Sequence, residues 1–130
     1  MQHVFYSYGN TKKISWIIQT ENSKVEQKRE HVEMYFDKVS NKQSKYIALH
    51  VGLFWGIGTF IIKNEESVII KIDDNAMYEH LTLNKKDEDD FIEKRSYFIK
   101  QLILQRKLKI QYELILKEEN EARKIINRQD

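Results

Sequence analysis

The sequence predicts one α+β domain built on a mainly antiparallel sheet of five or six strands. Two amphipathic helices, over residues 23–40 and 88–107, are expected to cover one face of the sheet. Alternating β-forming segments and two apolar stripes at helical spacing support this fold class, and 130 residues are enough for one core. The domain is predicted to span residues 1–117, followed by a charged C-terminal helix or tail over residues 118–130.

The first segment has the pattern of a β-hairpin. Residues 3–8 and 13–19 are rich in β-branched and aromatic residues, and Gly9 and Asn10 between them tolerate the positive φ angles of a tight turn. We therefore expect two antiparallel strands at the start of the chain.

A helix is predicted to follow. Ser23 and Glu26 have the spacing of a capping box, in which each side chain satisfies a backbone N–H at the helix start. Apolar residues then recur on one helical stripe, at Val25, Val32, Phe36 and Val39. This helix should end near Ser40.

The β pattern is densest between residues 45 and 72. Alternate apolar residues place one face of a strand at Ile47, Leu49, Val51, Leu53 and Trp55. Gly56 and Gly58 would allow a bulge, after which residues 59–63 and 68–72 resume the strand pattern. The expected result is an antiparallel meander.

The rest of the chain is predicted to alternate between helix and strand. Asp73 and Asp74 have the chemistry of a helix cap. Four acids at 87–90 and the basic pair at 106–107 complement the two ends of a helix dipole. Residues 108–116 alternate as a half-exposed strand does, with continuation of the helix as the competing interpretation. The final segment is mostly charged.

Composition excludes several classes of protein. The chain has no cysteine, which removes disulfides, thiolate metal sites and a cysteine nucleophile, and suits a reducing compartment. The longest apolar stretch, residues 51–62, is too short to span a bilayer, and the first residues have no leader pattern. We expect a soluble, cytoplasmic protein without a membrane partner.

Motifs for catalysis and cofactors are missing. The glycines between residues 52 and 58 lack the spacing and the lysine of a phosphate-binding loop, and no pair of the four histidines has the spacing of a helical metal site. We therefore assign no catalytic residue, no metal ligand and no cofactor. Asp73 and Asp74 leave two interpretations open: a helix cap, or the acids that metal-dependent nucleases place at a strand end.

From residue 45 onward, the predicted order of three strands, helix, strand and helix is similar to the ribonuclease H-like topology. This resemblance implies a catalytic aspartate on the first strand. The predicted strand carries His50 and no carboxylate there, and Ile69 stands two residues before Lys71, where a restriction-nuclease signature needs an acid.

The remaining inventory favours binding. Aromatic residues fall on the predicted strands and lysines flank them in loops: Tyr6, Tyr8, Trp16, Phe54, Trp55, Lys12, Lys13, Lys42 and Lys45. Stacking rings with a rim of positive charge can hold single-stranded nucleic acid. The sequence thus predicts a non-catalytic protein that binds single strands, with a protein interaction module or homodimer as the alternative and a metal-dependent nuclease-like enzyme third.

Overall fold

The computed structural model describes residues 1–128, which form a five-stranded mixed sheet flanked by helices. The strand order is β3-β2-β1-β4-β5. The elements are β1 Gln2–Gly9, β2 Lys13–Thr20, β3 Ser23–Glu30, α1 Asn41–Gly58, β4 Ser67–Ile72, α2 Asn75–Leu83, α3 Asp90–Arg106, β5 Lys109–Leu114, a 3₁₀ turn at Lys117–Glu119, and α4 Glu121–Ile126. Residues 129–130 of the predicted extension lie outside the described part.

The first three strands form an antiparallel meander. The predicted hairpin is confirmed, with Phe5 opposite Ile18 in the β1–β2 register. The predicted helix over 23–40 is wrong, because residues 23–30 form β3 and pair with β2 along their whole length. Glu21 adopts a positive φ of 49° in the short turn between the two strands, and this turn brings β3 back beside β2. Pairing with a neighbouring strand therefore outweighs the local capping pattern at Ser23.

The apolar run that predicted strands is a helix. Residues 41–58 form α1, and residues 59–63 form turns rather than a strand. Ser40 caps α1 by accepting a hydrogen bond from the Gln43 backbone N–H, and the Gln43 side chain accepts one in return from the Ser40 backbone N–H. Because α1 is buried on several sides, its apolar residues do not make the clean stripe that marks a surface helix.

Two glycines let α1 lie against the sheet. A Cβ atom added at Gly52 would stand 2.7 Å from Phe5 Cζ and 2.8 Å from Trp16 Cγ, and one added at Gly56 would stand 2.7 Å from Ile18 Cδ1. These distances are far below van der Waals contact. The glycines thus permit a close helix-to-sheet approach, and no β-bulge forms there.

The second half of the chain adds two parallel strands. β4 pairs with β1 and with β5, with Ile70 opposite both Phe5 and Tyr112. The strand at 68–72, the helix at 88–107 and the strand after it are confirmed as β4, α3 and β5. The α+β class is confirmed, but the sheet is mixed and not mainly antiparallel, because two of its four pairings are parallel.

Helices cover both faces of the sheet rather than one. α1 and α3 enclose the main core, which includes Phe5, Trp16 and Ile70. On the opposite face, Ala122 and Ile125 of α4 pack against Ile17. The segment expected to be a charged extension therefore supplies buried residues to the sheet. No helix within residues 1–128 has the length and apolar character needed to cross a membrane.

The close approach of α1 can be tested at Gly52. We expect Gly52→Ala to lower the free energy of unfolding by about 1–3 kcal/mol, because the new methyl group overpacks Phe5 and Trp16. Gly58→Ala is the matched control in the same helix, since a Cβ atom added there would have nothing within 4 Å and helix propensity favours alanine. Urea unfolding of the two variants measures the difference, and equal stability would contradict the packing described here.

Candidate functional site

The candidate site lies at one edge of the sheet, where the carboxyl ends of parallel strands meet. Tyr8 lies near the end of β1, and Asp73 follows β4 directly. The β1–β4 pairing is parallel, so these ends lie at the same edge. Lys45 from α1 and Arg123 from α4 reach the same place, each with its charged group over the Tyr8 ring.

Lys45 is bound to two consecutive carboxylates. Its Nζ lies 3.1 Å from Asp74 Oδ2 and 4.0 Å from Asp73 Oδ1. The Lys45 side chain is only 16% exposed and that of Asp73 only 4%. An ion pair this shielded is screened much less by solvent and salt than a surface pair. The site therefore has a fixed positive charge against the carboxyl end of β4.

Asp74 also stabilises the start of α2. It is the N-cap of α2, and its Oδ1 accepts a 3.0 Å hydrogen bond from the Met77 backbone N–H. Burial opposes its ionisation, but the Met77 N–H and the Lys45 ammonium outweigh this effect and hold the pKa of Asp74 below its ordinary value. The predicted helix cap is thus confirmed, and both oxygens of Asp74 are engaged.

Asp73 is held by a buried asparagine. Asn120 Nδ2 donates to Asp73 Oδ2 and to the Ser7 carbonyl oxygen, both at 3.0 Å. The Asn120 Oδ1 accepts a hydrogen bond from the Ala122 N–H, which caps α4. One fully buried side chain therefore ties α4 to the ends of β1 and β4.

Tyr8 lies between two cations. Lys45 Nζ is 5.9 Å from the ring centroid, and the Arg123 guanidinium carbon is 5.3 Å from it. Both distances fall within the range of cation–π attraction. Arg123 is exposed, and within residues 1–128 it makes no ion pair. Its charge is therefore available to an anionic group such as a phosphate.

The residues at this edge do not fit a metal centre. Within the described residues, no three Asp, Glu or His side chains lie together as a metal ion would require. β1 carries neither aspartate nor glutamate, and the two acids after β4 are already bound to Lys45, Asn120 and backbone N–H groups. The first-strand aspartate that the ribonuclease H-like resemblance implies is thus absent, and we derive no metal-dependent step.

The five predicted aromatic residues do not form an exposed platform. Trp16 is fully buried in the core, and Trp55 packs against it with 5.8 Å between ring centroids. Tyr6 and Tyr8 are half-buried under α4, on the other face of the sheet. Phe54 is 61% exposed, but it lies on α1 rather than on a strand.

The predicted lysines lie in different surroundings. Lys12 Nζ lies 3.1 Å from Asp37, and Lys13 begins β2 and is half-buried. Lys42 Nζ lies 2.7 Å from Asp87, and this hydrogen bond raises the pKa of Lys42. Of the nine predicted residues, the structure brings Tyr8 and Lys45 together at the carboxyl edge, the end of the sheet where β1 and β4 both finish.

Sequence reasoning missed Asn120 and Arg123. The signal was present, because Asn120 has the chemistry of a helix cap and Ala122, Ile125 and Ile126 follow at i, i+3 and i+4 spacing. This short pattern lies within a highly charged segment.

No protein-family model matches the sequence, and a search of curated proteins finds no relative. Solved structures do match. RNase H1 from the halophilic archaeon Halobacterium salinarum is 15% identical, with a TM-score of 0.74 over 94% of this chain and 91% of that chain. The N-terminal RNase H domain of a Mycobacterium tuberculosis protein is 15% identical, with a TM-score of 0.75 over 94% and 92% of the two chains.

A third match is an RNase H1 isolated from compost, solved in complex with an RNA/DNA hybrid. It is 15% identical, with a TM-score of 0.65 over 97% of this chain and 93% of that chain. These similarities establish the ribonuclease H-like fold for nearly the whole chain. The sequence therefore indicated the right type of fold but placed it wrongly along the chain. The three-stranded meander of this fold lies at residues 2–30, whereas the sequence pattern placed it from residue 45 onward.

These findings overturn the predicted function. A non-catalytic protein that stacks single strands on sheet aromatics is the wrong description, because the matching structures are RNase H enzymes and one of them holds an RNA/DNA hybrid. The burial of Trp16 and the helical position of Phe54 and Trp55 also remove the predicted platform. The partner class of nucleic acid agrees with the matching structures, while protein partners and self-association stay predictions.

The asparagine connection is testable. We expect Asn120→Ala to lower the free energy of unfolding by about 1–3 kcal/mol, because it leaves the Ser7 carbonyl and Asp73 without their donor in a buried place. Asn127→Ala, an exposed asparagine just after α4, should change stability by less than about 0.5 kcal/mol. Urea unfolding compares the two, and a neutral Asn120→Ala would show that Asn120 does not hold the strand ends together.

Proposed function

We propose that this chain acts on RNA/DNA hybrids, with the hybrid backbone lying along the carboxyl ends of β1 and β4. The observation that carries the proposal is the match to an RNase H1 solved with such a hybrid, which covers 97% of this chain. A cytoplasmic location, suggested by the lack of cysteine, belongs to the same proposal.

The charge at the site supports a phosphate backbone as the ligand. Arg123 presents an exposed guanidinium beside Tyr8, and no carboxylate in residues 1–128 pairs with it. A guanidinium can bind a phosphate through two parallel hydrogen bonds. Since phosphate contacts position a protein on a duplex, Arg123 is the side chain we place against the hybrid backbone.

The shape of the ligand follows from the exposed groups at this edge. Tyr8, the ring at this edge, is half-buried under α4. The exposed rings lie on α1, in the turn that follows it and on α3: Phe54, Phe60, Tyr97 and Phe98. A double-stranded ligand with A-like geometry is recognised mainly through its backbone and 2′-hydroxyl groups, so it needs no exposed ring. A hybrid duplex therefore suits this surface better than a single strand.

Fluorescence anisotropy with labelled oligonucleotides tests the proposal. We expect the hybrid to bind at about micromolar affinity in low salt and more tightly than either single strand of the same length. Arg123→Ala should weaken hybrid binding and reduce the salt slope by about one unit, because one phosphate contact is lost.

Lys63→Ala is the matched control. Lys63 is an exposed cation in the turn before β4, at the opposite end of that strand from Arg123, so its removal lowers the net charge equally without touching the proposed surface. Tighter binding of single strands, or equal losses for the two variants, would contradict the proposal.

A further inference from the structure

The two acids at the end of β4 are neutralised by a cation that belongs to the chain itself. Lys45 Nζ is within 3.1 Å of Asp74 and 4.0 Å of Asp73, at a place where all three side chains are shielded from water. We infer that Lys45 is the resident cation of this edge and stands where a divalent metal ion would otherwise bind between Asp73 and Asp74.

The number of carboxylates alone does not decide this point. Mg²⁺ can be held by only one or two carboxylates when water and substrate phosphates complete its coordination. The position of the ammonium decides it, because a metal ion between these two acids would meet the Lys45 charge at contact distance. Like charges so close in a shielded site repel strongly.

The remaining oxygens are also engaged. Asp73 Oδ2 accepts a hydrogen bond from Asn120, and Asp74 Oδ1 accepts one from the Met77 N–H. A metal ion would have to displace Lys45 and compete with these hydrogen bonds. Arg123 and Tyr8 add a second cation and a neutral ring at the same edge, and neither supplies a metal ligand of the oxygen-anion type.

The geometry also indicates which substitution would create a metal site. A carboxylate in place of the ammonium at residue 45 would complete a group of three acids around one position. Lys45→Glu should therefore create divalent metal binding that the natural chain lacks. Lys45→Gln removes the positive charge but adds no anionic ligand, so it separates the loss of the ammonium from the gain of a ligand.

The experiment is a titration with Mn²⁺ alone, by calorimetry and by thermal unfolding with Mn²⁺ or with EDTA. It needs no nucleic acid, so its failure is distinguishable from failure of the proposed function. We expect the natural chain to give no binding heat at millimolar Mn²⁺ and the same melting temperature under both conditions. Lys45→Glu should melt lower in EDTA, because three acids repel one another, and should recover in Mn²⁺.

Lys42→Glu is the matched control, one helical turn earlier in α1. Lys42 pairs with Asp87, and the charges of Asp74 and Asp89 also act on it, but it makes no ion pair with Asp73 or Asp74. The same charge reversal there should therefore give a much smaller Mn²⁺-dependent recovery than Lys45→Glu. Lys45→Gln should respond to Mn²⁺ more than the natural chain and less than Lys45→Glu, because it removes the ammonium from Asp73 and Asp74 but adds no third carboxylate. If Lys45→Glu fails to fold in EDTA, refolding in Mn²⁺ is the readout, and no refolding would count against the inference.

The inference is overturned if the natural chain binds Mn²⁺ and Asp73→Asn abolishes that binding. It is equally overturned if Lys45→Glu and Lys42→Glu respond to Mn²⁺ alike, because metal binding would then not depend on the place that the Lys45 ammonium occupies.

Discussion

The parallel pairing of β1 with β4 is the constraint on which the rest of the structure depends. It joins the antiparallel meander to the second half of the chain, with Phe5 opposite Ile70 at the centre of the sheet. A parallel connection needs a long crossover, and α1 is the helix that lies across the sheet on the way. Gly52 and Gly56 allow this helix to come close enough to enclose Phe5 and Trp16.

The same pairing creates the candidate site. Parallel strands bring their carboxyl ends to one edge, so Tyr8 and Asp73 come to the same end of the sheet although they are 65 residues apart along the chain. α1 then contributes Lys45, and α4 contributes Asn120 and Arg123 from the opposite face. In this chain the edge is built from an internal ion pair, a buried amide and an exposed guanidinium, which gives it a chemistry suited to phosphate rather than to metal ions.

Much of the fold could be predicted from the sequence where local pattern and long-range pairing agree. The first hairpin, β4, α3 and β5 are such elements. The wrong predictions fall where local pattern and long-range pairing disagree. Ser23 and Glu26 have capping-box spacing, yet their segment pairs with β2 as a strand. The apolar run of α1 was interpreted as a strand because apolar content alone does not distinguish a buried helix from a buried strand.

The site was predictable only in part for the same reason. Lys45 and Tyr8 were singled out and do meet, and Asp74 was expected to cap a helix, as it does. Asn120 and Arg123 could not be assigned, because their roles depend on α4 packing behind β1 and β2, and no local pattern reports which face of a sheet a short helix will cover. The buried position of Trp16 likewise follows from α1 lying over it, which the strand interpretation of α1 concealed.

The central claim is that the carboxyl edge of β1 and β4 holds its own cation while it faces an RNA/DNA hybrid. The most direct measurement is a crystal structure of the chain with a hybrid, grown in Mn²⁺ and recorded with anomalous scattering. The account predicts the hybrid backbone beside Arg123, the Lys45 ammonium in contact with Asp74, and no manganese peak between Asp73 and Asp74. A manganese ion bound by those two carboxylates, with Lys45 displaced, would contradict it.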